Sequence, residues 1–340
     1  MLFCLFLYFI FAIFAQFTKH TFTNRNFMSK FFHFILMVAT LVATSCMGDG
    51  LRSSVTFVAD LGGIETRAIA DGTTVNQVAW AVYVDGSNTP LEDMWGTMPL
   101  TNRQAVLNLR LATGRTYDIV FFAYYTENPS SVAEVNGEIN PLYYNVSLNE
   151  KSVSVKYDNA TANDERRDCF WHAENNLKVE GSINKTFLLT RPLAQLNFGV
   201  TESDFNSTLG SDFQIADTEI TVDSYTKFNL FDGSLSELVP TTVKFERNTT
   251  PLYNDDYLII KEQSERYKYL ATTYTLVNQK CTSNVTLTFW DNKGIEVHTL
   301  NYSFVPLQRN YRTNIIGHLL TNPHLFTIVI DEKFEADHTH

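Results

Sequence analysis

The sequence predicts an all-β protein, two Ig-like antiparallel β-sandwich domains in tandem behind an export signal. Three observations predict it. Apolar and polar residues alternate with period two in many short runs. Turn chemistry separates the runs: Asp85-Gly86, Asp232-Gly233 and Asp291-Asn292-Lys293-Gly294 all tolerate positive φ. No segment sustains a helical period beyond short pieces such as Ser131 to Glu138. Many short strands with regular turns indicate sandwiches rather than a helical or α/β fold.

Taken in order, Val55 to Leu61 is the first strand, with Val55, Phe57 and Ala59 on one face and Thr56, Val58 and Asp60 on the other. Val78 to Val84 and Val106 to Leu111 alternate plainly, and Tyr117 to Tyr125, Ser152 to Tyr157, Phe187 to Thr190 and Leu193 to Val200 follow. Later strands are Glu219 to Tyr225, Lys227 to Phe231, Thr242 to Arg247, Tyr257 to Lys261 and Tyr267 to Val277. Asn284 to Trp290 and Ile295 to Pro306 form a hairpin across the Asp291–Gly294 turn, and Phe326 to Ile330 comes last. The polar stretches Asp158 to Asp168 and Thr201 to Gly210 read as loops. The second of these puts a domain boundary near residue 200, giving sandwiches over 55–200 and 201–340.

Ahead of the strands stands a lipoprotein signal. Met28-Ser29-Lys30 opens a charged n-region, Phe31 to Leu41 is an apolar stretch, and Ala43-Thr44-Ser45 places small residues before Cys46. A thiol there can be diacylated, and two acyl chains anchor a domain stably to a bilayer. Cys46 is therefore the expected lipidation site, with residues 46–54 a lipid-anchored linker and an outer-membrane, cell-surface location. An ordinary cleaved signal with an accidental cysteine is the plainer alternative. Leu2 to Phe17 is a further apolar run, shorter than the ~20 residues of a spanning helix. It reads either as the product of a start placed upstream of Met28, or as a real extension. Residues 1–45 are leader in both cases and take no part in the fold.

Lys19, Arg25 and Lys30 are the leader's basic residues, and it holds no acid. Subtracting those three from the chain's 26 leaves 23 basic against 37 acidic residues, a formal charge of −14. Such a surface repels phosphates and excludes a nucleic-acid partner. Cys169 and Cys281 remain after lipidation. An exported protein could oxidise them together, but two lone cysteines packed as small apolar residues is the reading preferred.

Catalytic patterns are missing: there is no Gly-x-Ser-x-Gly elbow, His-Glu-x-x-His, phosphate loop or dinucleotide fingerprint. His172, His298, His318 and His324 are scattered, without the spacing of ligands. Asp255-Asp256 could offer oxygens to calcium, but six or more ligands are needed, so a solvated turn is preferred. No enzyme activity, metal or cofactor is expected. Asp164-Glu165-Arg166-Arg167-Asp168 could be a docking surface or a salt-bridge clasp; its default reading is a solvated loop whose pairs contribute under ~1 kcal/mol each. Abundant Tyr and Phe could stack on sugars, although a sandwich core uses aromatics too.

Four segments, Arg67 to Gly72, Asn163 to Asp168, Arg191-Pro192-Leu193-Ala194-Gln195-Leu196-Asn197-Phe198-Gly199 and Arg309-Asn310-Tyr311-Arg312-Thr313-Asn314-Ile315-Ile316-Gly317, resemble fimbrillin-like lipoproteins of Bacteroides-type bacteria. The resemblance covers nearly all of the mature chain. It implies transthyretin-like sandwiches, export as an outer-membrane lipoprotein, and a part in fimbriae or related adhesive structures, with no catalytic residues. It also implies partners: other fimbrial subunits joined by strand addition. Shaft subunits of that family are cut after an arginine and lose their first strand; Arg67 stands where such a cut would fall. Read physically, Leu193, Leu196 and Phe198 should pack inward, Pro192 should open a strand, Tyr311 and Ile315 should bury, and Arg309 and Arg312 should stay at the rim. After Ile330 only acidic Asp331 to His340 follows. Unless Phe326 to Ile330 itself swings out, nothing obvious is left to donate, which favours an anchor or accessory role over a shaft role. A surface lipoprotein that captures glycan is the alternative function.

Overall fold

In the computed structural model the described residues are 52–62, 72–129, 134–208, 215–247, 257–258, 260 and 266–331. Their regular secondary structure is nearly all strand, in five sheets. The first has Arg52–Asp60 in the middle, between Ile183–Leu188 and Gln104–Ala112. The second runs Phe170–Val179, Arg115–Tyr124, Gln77–Val84, Trp95–Pro99. Between these two sheets lies one core, built from Val55, Phe57, Val78, Val82, Ile119, Phe121 and Phe187.

The second sheet is buried on its other face as well. Ala79, Ala81, Tyr83, Val120, Phe122 and Tyr124 pack there against Tyr144, Val146, Val153 and Phe228. Those residues come from a third sheet of short strands: Lys227–Asn229, Ser152–Val155, Tyr144–Ser147, Glu138–Ile139 and Glu134–Val135. Burial on both faces explains why Arg115–Tyr124 ends in an unbroken apolar run, Ile119 to Tyr124, instead of alternating. It also corrects one expectation: the described end of Ser131 to Glu138 is strand, the Glu134-Val135 half of a hairpin with Glu138-Ile139.

The fourth sheet runs Tyr257–Leu258, Tyr267–Leu276, Leu193–Thr201, Arg312–Gly317, Phe326–Asp331, and the fifth runs Thr241–Phe245, Ile215–Ser224, Lys280–Asp291, Glu296–Gln308. Leu196, Phe198, Val200, Ile220, Val222, Leu287, Phe289 and Ile315 fill the space between them. The expected hairpin is present: Asp291 N–H donates to Ile295 O at 2.9 Å, and Lys280–Asp291 pairs antiparallel with Glu296–Gln308. The polar stretch after Thr201 is not all loop, because Glu202–Thr208 forms a short helix.

Two ladders depart from the antiparallel expectation. Arg52–Asp60 is parallel to Ile183–Leu188, and Leu193–Thr201 is parallel to Arg312–Gly317. Parallel neighbours need long connections, and here more than a hundred residues separate each pair, which local patterning cannot register. The pairing also crosses residue 200 in both directions. Leu193–Thr201 is the middle strand of the fourth sheet, and Lys227–Asn229 pairs back onto Ser152–Val155. The described residues from Ser53 onward form one compact unit.

Candidate assembly site

The first strand occupies the one position in its sheet from which it cannot leave without exposing both neighbours. Val55 lies opposite Ile183 and Asp60 opposite Leu188. Val55, Phe57 and Ala59 are fully buried, as the period-two pattern requires. Its C-terminal end is clamped. Arg103 Nε donates to Gly62 O at 2.9 Å and its Nη2 to Leu61 O at 3.2 Å. Gln104 Nε2 reaches Asp60 Oδ2 at 2.8 Å, and Thr56 Oγ1 donates to Asn108 Oδ1 at 2.8 Å. Removing the strand would vacate the pockets of a valine and a phenylalanine, each stabilising by about 1.5–3 kcal/mol when buried, and would leave two open ladder edges.

Beneath this groove three rings lie in a row. Phe57 meets Phe187 at 5.4 Å, and His172 stacks on the same Phe187 at 5.0 Å. Burial pulls the His172 imidazole below its ordinary pKa, against the opposite pull of Glu174, whose Oε2 is 3.8 Å from Nε2. The folded protein thus prefers the neutral ring. A depressed folded pKa supplies stability that is complete above the unfolded value, near 6.5, and is lost as pH falls through it. Denaturation midpoints should therefore decline below about pH 6.5, and His172→Gln should flatten that decline. A variant with the wild-type pH profile would show that His172 is not the group responsible.

The described parts of the segments that carry the family resemblance come together at a second place, as a structural knot. Asp168 is wholly buried and Arg191 is 4% exposed. The Arg191 Nε lies 2.8 Å and 3.0 Å from the two Asp168 carboxylate oxygens, and its Nη2 2.8 Å from Oδ2. Complete burial pushes the Asp168 carboxyl up, against the pull of the Arg191 guanidinium. That guanidinium also lies 4.3 Å over the Phe170 ring. Gly72, at φ +73°, admits the ring: a Cβ there would come within 2.6 Å of Phe170 Cζ. Asn163 exchanges hydrogen bonds with the Thr272 backbone at 2.9 and 2.8 Å, and Tyr143 Oη donates to Asp164 Oδ2 at 2.6 Å. Tyr144 Oη donates to Arg167 O.

The run from Asn163 to Asp168 is therefore no solvated loop. Asn163, Asp164, Arg167 and Asp168 are buried, because strands far away in sequence close over them. Arg309 and Arg312 are likewise buried rather than at the rim. Arg309 Nη1 donates to Gly233 O at 2.8 Å and its Nη2 to Val277 O at 3.2 Å, while Arg312 Nε reaches Gln195 Oε1 at 3.2 Å. Leu193, Leu196, Phe198 and Ile315 pack inward, and Pro192 stands just ahead of its strand, as expected; Tyr311 is half-buried. At Gly317 any side chain is excluded, since a Cβ would lie 2.3 Å from Leu325 O.

The last strand contrasts with the first. Among the described residues Phe326–Asp331 pairs only with Arg312–Gly317, at the edge of the fourth sheet. Phe326 is 39% exposed and the preceding Leu325 56%, while Ile328, Val329 and Ile330 are half-buried. An edge strand presents unpaired backbone groups, the template for adding a strand from another chain.

Cys46, Arg67 and Asp255-Asp256 lie outside the described residues. Cys169 and Cys281 are both free thiols, and burial raises both pKa values. His172 and His318 each face one carboxylate, Glu174 and Asp204. Among the described residues no group of three His, Cys, Asp or Glu is placed to hold a metal, and no helix is long and apolar enough to cross a membrane. Sequence reasoning missed the clamp at Arg103 and the Asp168–Arg191 pair. The signal for the second was the arginine beside Pro192, a charge placed at the mouth of an apolar strand.

The chain is similar in structure to a fimbrial assembly protein from Parabacteroides distasonis, with 12% identity and a TM-score of 0.42 over 82% of this chain and 95% of that one. It is also similar to the tip fimbrial protein Mfa3 from Porphyromonas gingivalis, with 12% identity and a TM-score of 0.39 over 83% of this chain and 99% of that one. No curated protein matches the sequence. A family of unknown function, DUF6562, matches residues 49–340. With well over half of the chain inside that match, the protein belongs to the DUF6562 family.

Proposed function

We propose that this protein is a non-enzymatic, lipid-anchored component of the bacterial surface, an anchor-like accessory subunit of a fimbrial or related adhesive structure. Cys46 carries the lipid at the outer membrane, and the first strand joins it to the body. The observation that carries this reading is the position of that strand. Cys46 stands six positions before Arg52, where the strand begins, and the strand is held in the middle of its sheet with Val55, Phe57 and Ala59 enclosed. A cut after Arg67 would part the lipid from the protein except for whatever grip the groove retained. A subunit whose task is attachment keeps the strand and leaves Arg67 uncut. Neighbouring subunits join by strand addition, and Phe326–Asp331, at the sheet edge, is the element best placed to receive a partner strand.

Mass spectrometry of the mature N-terminus from cell-surface material tests this directly. The expected species begins at acylated Cys46, and Cys46→Ala should yield unprocessed precursor or soluble protein. A mature chain that begins at Ala68 would overturn the anchor role in favour of a shaft subunit.

A further inference from the structure

The fifth sheet turns one face to the core, where Thr218, Ile220, Val222, Phe245 and Phe289 are buried. Period-two alternation then sends Asp217 and Glu219, Lys244 and Glu246, and Trp290 to the opposite face. At the end of that face the turn from Asp291 to Gly294 walls a cleft of about 610 Å³, into which these side chains and Arg247 project. The volume lies within the roughly 300–1,000 Å³ of small-molecule sites.

Trp290 is set apart from an ordinary sheet-face residue. The ladder is irregular on both of its sides, between Ile215 and Asp217 on one neighbour and between Phe289 and Trp290 toward the other. Such irregularities re-aim a side chain. The Arg247 guanidinium lies over the indole, 4.5 Å from its centre. Lys244 Nζ pairs with Glu219 Oε2 at 3.0 Å. Among the described residues the carboxylates of Asp217 and Glu246 have neither an ion-pair nor a hydrogen-bond partner.

The lining suits one kind of ligand. Carboxylates and cations are interspersed and nearly cancel, so the cleft holds no strong field for an anion or a cation. It does hold many donors and acceptors side by side. A sugar hydroxyl donates to a carboxylate while accepting from an ammonium or guanidinium, and the apolar face of a pyranose can lie against the Trp290–Arg247 plate. We propose that this cleft is a binding site for a short neutral oligosaccharide, with Asp217 and Glu246 accepting from its hydroxyls and Trp290 supporting a ring. The site does not depend on the anchor reading: a chain that kept its first strand and one that lost it would carry the same cleft.

Calorimetric titration of the purified full chain with cellotetraose, xylotetraose, mannotetraose, maltotetraose, chitotetraose and tetragalacturonate tests it. At least one neutral tetrasaccharide should bind with a Kd of about 1 mM or tighter. Trp290→Ala, and separately the paired Asp217→Asn and Glu246→Gln, should each weaken that binding at least about tenfold. The carboxamide pair replaces surface groups and keeps the proposal testable if Trp290→Ala fails to fold. Failure of every neutral tetrasaccharide to bind, survival of binding in the carboxamide variant, or preference for tetragalacturonate would overturn the proposal.

Discussion

Replacing Arg191 by methionine should destabilise the protein by about 3–5 kcal/mol, because it strands a buried carboxylate. Asp168 is wholly enclosed, and the two contacts of the Arg191 fork below 2.9 Å are what make its charge tolerable there. The loss is a large part of the roughly 5–15 kcal/mol that holds a typical domain together. It should appear as a shift of the denaturant midpoint at unchanged slope. Adding Asp168→Asn to the same chain should return much of the loss, since neither charge then remains unpaired. The two single costs should accordingly not add. A cost under about 1 kcal/mol for Arg191→Met would mean that Asp168 is neutral in the folded protein and that the pair is no ion pair.

Phe198→Ala should cost about 3–5 kcal/mol through the cavity it leaves. Phe198 is 0% exposed in the middle strand of the fourth sheet, between Ala271 on one side and Ile315 on the other. Its ring lies 6.0 Å from that of Tyr302. Equilibrium unfolding measures the effect, and a cost near zero would show that the strand is not part of a packed core.

Strand content was legible because it follows from local alternation. Val55, Phe57 and Ala59 announce their buried face in the sequence, as do Leu196 and Phe198, and the Asp291–Gly294 hairpin follows from turn chemistry alone. Phe170–Val179 was not read as a strand: Trp171, Ala173, Leu177 and Val179 alternate with polar residues, but Asn175-Asn176 interrupt the pattern, at the place where its pairing with Arg115–Tyr124 shifts register between Glu174 and Leu177. Arg312–Gly317 was seen only as part of a family resemblance, because Arg312, Thr313 and Asn314 are polar residues in a buried strand. Their needs are met by Gln195, by Pro306 O and by Asn197, residues that no local pattern connects to them.

The candidate site divides in the same way. By itself the sequence determined the all-β class, the inward face of the first strand and the position of Arg67 after it in the chain, since each depends on residues within one short stretch. Only the tertiary structure decided that the first strand lies between two others, parallel to Ile183–Leu188, and that Asn163, Asp164, Arg167 and Asp168 of the charged run are buried. Only it placed Trp290, Arg247 and Asp217 around one cleft. The reason is range: alternation and turn chemistry act over a few residues, whereas the enclosure of a charge or the neighbour of a strand is set by segments up to more than a hundred residues away, whose meeting depends on the whole chain's burial.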